Sequence, residues 1–169
     1  MDPVEPLPTP DVHHWESAQG WTVLRNAREA YAELEKIRPE LQVHPLVQSA
    51  WLDAWITGQE WGKAIDMAQT LTTDFPQEPG FWLHLAYATR RVEEGGLDQA
   101  LEVLSSVKDE FPQEWIIPYN IACYLCQMEN LPDAKANLSR AMVIDGNKTR
   151  ATALSDDDLM PLWQWVKKL

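Results

Sequence analysis

The stretch 75–114, FPQEPGFWLHLAYATRRVEEGGLDQALEVLSSVKDEFPQE, begins and ends on the same four residues: Phe75-Pro76-Gln77-Glu78 returns unchanged as Phe111-Pro112-Gln113-Glu114, 36 residues later. Self-similarity at a fixed offset of this size is the mark of a stacked-repeat architecture. The same offset brings Leu85-Ala86 onto Ile121-Ala122, so the equivalence extends beyond the tetrapeptide. A second series, Ala64, Ala100 and Ala134, is spaced by 36 and 34 residues, and each member has an apolar residue four positions on. Apolar residues at three- and four-residue steps indicate amphipathic helices. They predict pairs over 45–57 and 60–74, 79–93 and 97–110, and 115–128 and 131–144. Pro76, Pro112 and Gly146 stop the second helices, and Gly58, Gly95-Gly96 and Asn130 mark the tight turns inside each pair. Pro45, Pro79 and Pro132 fall in first turns, where the missing N–H costs little.

These residues resemble the tetratricopeptide repeat family, whose frame places Trp, Leu, a small residue and an aromatic first, then Ala and Phe, then Pro, in about 34 residues. Trp82, Leu85, Ala86, Ala100, Leu104 and Pro112 fit it, with Thr89 at the aromatic position and two extra residues near Gly95-Gly96. Ile121, Ala122, Leu125, Ala134, Leu138 and Ala141 give the most regular unit. Trp55, Gly58, Trp61, Ala64 and Pro76 fit in the first, although Trp51-Leu52 is bulky where a small residue is expected. The resemblance implies an all-α solenoid with three repeats over 45–147, and flanking helices must then close its ends. The expected organisation is a flexible Pro-rich segment 1–14, a degenerate half-repeat or capping helix 15–44, the repeats, and a capping helix 148–169. That last helix starts on Ser155 and the run Asp156 to Asp158 and carries Leu159, Leu162, Trp163 and Val166 as its apolar stripe.

Composition limits the function. The 169 residues carry 26 acidic against 14 basic side chains, a formal charge of -12, with 45% hydrophobic residues. That balance argues against nucleic acid, which needs a basic footprint, and against anionic membrane. Met1 to Pro10 holds four prolines and two acids rather than an export signal, and the most apolar run, 116–126, is too short to span a bilayer. A cytoplasmic location is expected, with Cys123 and Cys126 as reduced, packed thiols.

No phosphate loop, nucleophile elbow or dinucleotide fingerprint occurs. Cys123-x2-Cys126 has no second pair to complete a zinc site, His13, His14, His44 and His84 are dispersed, and the Asp156 to Asp158 run lacks the alternating ligands of a calcium loop. The expectation is therefore a protein without catalytic residues, metal or cofactor.

The resemblance implies that the first helices line a concave groove for a peptide. Projected onto that frame, its lining is Ser49 and Asp53 from the first unit, Leu83, Tyr87, Arg90 and Arg91 from the second, and Ile116, Tyr119, Asn120, Cys123 and Gln127 from the third. Arg90-Arg91 is an unusual basic pair in an acidic chain; Glu93 and Glu94 follow it and offer local ion pairing. The Lys and Asn set with which some family members clamp acidic chaperone tails is not reconstructed here. The expected role is a scaffold or adaptor that binds a protein segment, as a monomer or weak homodimer. The alternative is a chaperone resembling the small tetratricopeptide chaperones of secretion translocators.

Overall fold

The computed structural model describes residues 5–168. Among the described residues, ten α-helices and two 3-10 turns account for about 71%, and no strand occurs. No helix among them is long and apolar enough to cross a membrane. The chain divides into two compact units, one ending at Pro76 and the other beginning at Gln77.

The first unit holds α1 (Asp11–Val23), α2 (Ala27–Leu34), a 3-10 turn (Pro39–Leu41), α3 (Pro45–Thr57) and α4 (Trp61–Asp74). Its core joins Ala18, Ala30, Leu34, Ile37, Val47, Ala50 and Ala54, with Trp15, Trp21, Tyr31 and Trp51 packed at the margin. Small residues let the helix axes approach, and the aromatics fill the gaps left between them. Tyr31 stacks on Trp51 at 5.9 Å between ring centroids, and Trp51 stacks on Trp55 at 5.2 Å. Each buried leucine contributes roughly 1.5–3 kcal/mol, more than the roughly 1 kcal/mol net of an ordinary hydrogen bond, so the apolar frame sets the register.

The N-terminal region departs from the sequence expectation. Instead of a half-repeat starting near residue 15, α1 and α2 form a full antiparallel hairpin opening at Asp11. Of the segment expected to be flexible, residues 1–4 lie outside the described residues. Leu7, by contrast, is only 6% exposed, and the Asp11 carboxylate accepts from Arg38 N and Arg38 Nε, both at 2.8 Å. Sequence reading missed this hairpin because its first helix is polar, yet its frame is regular: Ala18 and Ala30 are 12 residues apart, like Ala122 and Ala134.

The second unit holds α5 (Pro79–Thr89), α6 (Leu97–Val107), α7 (Ile116–Gln127), α8 (Leu131–Ile144), α9 (Gly146–Ala153), a 3-10 turn (Asp157–Leu162) and α10 (Trp163–Val166). Here α5 and α6 stop earlier than the periodicity suggests. The predicted single tail helix is also broken. Ser155 turns its hydroxyl back to Thr152 O at 3.0 Å and caps nothing ahead of it, whereas Asp156 accepts from Asp158 N at 3.0 Å. Pro161, which lacks an N–H, keeps the next turn from becoming an α-helix. Asp145 ends α8 and caps α9 by accepting from Lys148 N at 3.0 Å, and the buried Thr149 hydroxyl donates to Ala141 O at 3.1 Å.

Four hairpins thus share one frame. Ala18, Leu52, Ala86 and Ala122 occupy one position; Ala30, Ala64, Ala100 and Ala134 a second; Leu34, Ala68, Leu104 and Leu138 a third; Ile37, Leu71, Val107 and Ala141 a fourth. All sixteen are at most 3% exposed. Three of the turns are also alike. Arg25, Gln59 and Glu129 take left-handed φ values of 57°, 60° and 62°. The next residue donates back across the turn each time: Asn26 N to Trp21 O, Glu60 N to Trp55 O and Asn130 N to Leu125 O, all at 2.9 Å. This is the Schellman closure, usually made with glycine. The α5–α6 turn carries two extra residues and uses Gly96, φ 151°, instead.

Candidate functional site

Tyr119, Cys123 and Gln127 stand at four-residue steps on α7 and so form one stripe. The structure brings that stripe together with Arg90, at the C-cap of α5, and all four side chains meet the segment 156–162. Tyr119 Oη donates to Asp156 Oδ2 at 2.7 Å, and Cys123 Sγ points at the same oxygen from 3.6 Å. Arg90 forks onto the Asp158 carboxylate, with Nη1 at 2.5 Å from Oδ2 and Nη2 at 3.4 Å from Oδ1. Gln127 Nε2 donates to Asp158 O at 3.1 Å, and Trp163 Nε1 to Asp156 O at 3.2 Å. The Arg90 guanidinium also lies 5.5 Å from the centroid of the Tyr124 ring.

The electrostatics follow from this geometry. The hydrogen bond to Asp158 holds the Arg90 guanidinium above its ordinary value. Burial, reinforced by the Asp156 carboxylate, pushes both the Tyr119 phenol and the Cys123 thiol far up, and burial pushes the Tyr124 phenol up to about 12. A thiol that stays protonated is a poor nucleophile and a poor metal ligand. Cys123 and Cys126 are both buried and free, and no cluster of three His, Cys, Asp or Glu residues suited to a metal occurs among the described residues.

The other predicted groove residues lie elsewhere. Tyr87 is exposed, with the Arg91 guanidinium 3.5 Å above its ring and Arg91 Nη1 donating to Tyr87 O at 3.0 Å. Leu83 and Ile116 pack on the core of the second unit, and Asn120 folds back on its own helix, donating to Ile116 O at 2.8 Å. Ser49 and Asp53 belong to α3 of the first unit, where Asp53 and Ala50 line a shallow cleft with Gln19, Thr22 and Val23 of α1. Two readings change as a result. Tyr119 and Cys123, expected to be open to a partner, are each only 3% exposed, because the segment after α9 covers them. Arg90, expected to pair with nearby Glu93 or Glu94, pairs with Asp158 across 68 positions of sequence. Asp156 and Asp158 belong to this site although the sequence assigns them only to a helix start, because the uninterrupted run Asp156 to Asp158 gives no sign of which carboxylates turn inward.

No family model matches the chain, and no curated protein matches it. Among solved structures, one named MamA MSR-1 C2 superposes with a TM-score of 0.62 over 95% of this chain and 97% of its own, at 15% sequence identity. The fold is a tetratricopeptide-like helical repeat. At that identity the likeness to MamA is one of fold alone. The frame that MamA shares is an all-helical one, and the stripe on α7 and the Arg90 cap are described by this chain's own contacts.

Proposed function

We propose that this protein is a non-enzymatic interaction scaffold that binds a segment of a protein partner on the faces of its first helices. The observation that supports it is the seating of a polypeptide segment against α7 and the end of α5, through side-chain bonds to both carboxylates and to a backbone carbonyl. A surface that reads a backbone oxygen together with alternate side chains has the chemistry of peptide recognition. The tetratricopeptide-like fold agrees with that reading. The residues offered to a partner are the exposed Tyr87 and the half-buried Arg91 over its ring, since Arg90 and Tyr119 hold the chain's own segment.

The test is affinity capture from native cell extract with the full chain, run beside a Tyr87→Ala/Arg91→Ala variant of unchanged melting temperature. A partner captured by the parent and lost by the variant supports the reading. No partner, or one retained equally, moves the interaction off this face.

A further inference from the structure

The segment 156–162 offers a definite pattern to the surface it covers. Asp156 and Asp158 alternate, one read by Tyr119 and Cys123 and the other by Arg90. Leu159 and Leu162 are 0% and 1% exposed, whereas Met160 is 56% exposed and Pro161 is exposed as well, so the inward-facing residues read acid-x-acid-Leu-x-x-Leu. Two features separate this from ordinary core packing. The recognised elements are charged and backbone groups, which a purely apolar cap does not need. The binding elements come from two different helices and contact the segment from the side of their predicted ligand face.

We infer that the Arg90, Tyr119, Cys123 and Gln127 surface is a site for an acid-x-acid-apolar segment, that its resident occupant is the chain's own residues 156–162, and that a partner segment of the same pattern binds when this one lifts. Charge complementarity fixes the occupant's chemistry. Arg90 supplies the cation inside an acidic protein, Tyr119 supplies a neutral donor that burial keeps protonated, and a basic or neutral segment would leave the half-buried Arg90 without its counter-ion. The inference rests on the scaffold reading and names the partner chemistry for it. It also makes the site self-closing: the apparent affinity for a partner is its intrinsic affinity multiplied by the fraction of molecules with the segment lifted.

The experiment uses the full chain and a fluorescein-labelled peptide of the sequence 154–168. Fluorescence anisotropy gives the peptide's affinity for the parent and for Asp156→Asn/Asp158→Asn, which keeps side-chain volume and the capping acceptor at 156 but removes both charges. Loss of a charge-assisted fork should raise the open fraction, so the double variant binds the peptide about tenfold or more tightly than the parent. The same peptide with both Asp changed to Asn should not bind, and adding Arg90→Ala to the chain should abolish the gain. Hydrogen exchange over 154–168 supplies an independent readout, with faster exchange in the double variant and unchanged exchange in α3 and α4. Unchanged peptide affinity despite faster exchange overturns the inference, as does unchanged exchange. Asp158→Asn alone serves if the double variant fails to fold. A partner still captured through Tyr87 and Arg91 while these results are negative would leave the scaffold reading standing and remove this one.

Discussion

Gly58→Ala separates steric fit from backbone preference in the first unit. Gly58 is the C-cap of α3, with φ −82° and ψ 0°, angles that any residue adopts. Alanine would ordinarily help there, by roughly 0.4–1 kcal/mol through the unfolded chain. The space forbids it. A Cβ at residue 58 would overlap Tyr31 Oη, lie 3.0 Å from Tyr31 Cζ and sit 3.1 Å from Ala27 Cβ. Tyr31 cannot withdraw without giving up its bond to Ala54 O at 3.3 Å and its stack on Trp51. Those losses are about 1 kcal/mol for the hydrogen bond and about 0.5–1.5 kcal/mol for the aromatic pair, a range that overpacking penalties of about 1–3 kcal/mol also cover. After the backbone gain is subtracted, the substitution should cost about 1 kcal/mol. Urea unfolding followed by tryptophan fluorescence, with Trp51 and Trp55 beside the site, measures it. Tyr31→Phe removes the nearest atom, so Tyr31→Phe/Gly58→Ala should be more stable than Gly58→Ala alone, a coupling of about 1 kcal/mol. A neutral or stabilising Gly58→Ala would refute the argument that Tyr31 is held in place.

Three further outcomes are expected. Gln59→Gly and Glu129→Gly, each relieving a left-handed residue, should each stabilise by about 0.5–1 kcal/mol in the same unfolding assay. The Asp11 carboxyl is held below its ordinary 3.8 chiefly by Arg38 N–H; its contribution to stability is complete above that value and lost as pH falls through the lowered one. Melting temperature followed from pH 6 to pH 2 should therefore drop less steeply in Asp11→Asn than in the parent. Cys123 and Cys126, both with raised thiols, should resist an aromatic disulfide reagent at pH 8 in the folded chain and both react after denaturation.

Much of the fold is legible in the spacing of small residues. The predicted helices 45–57 and 131–144 coincide with α3 and α8 because Pro, Gly and Asn punctuate them and apolar periodicity is strong between. The N-terminal hairpin is partly hidden, since α1 exposes His13, Glu16, Ser17 and Gln19 and deeply buries only one apolar residue, Ala18. The tail differs from the expectation for another reason: Ser155 and Asp156 are equally good caps in isolation, and the bonds of Tyr119 and Arg90 to the two aspartates favour the second. Long-range charge pairing of this kind, across 68 positions for Arg90, leaves no periodic trace. Of the candidate site, the α7 stripe could be read from helical spacing, but what covers it could not.

The α5–α6 turn shows how this chain accommodates changes in length. Two extra residues there are absorbed at Gly95 and Gly96, while Ala86 and Ala100 on either side remain fully buried. Inside a helix each added residue would instead rotate everything beyond it by about 100°, turning the small face away from its neighbour. Insertions and deletions in descendants of this sequence should therefore accumulate at the tips of the hairpins. The same tips are the places to graft a fluorophore, an epitope or a short loop without disturbing the frame.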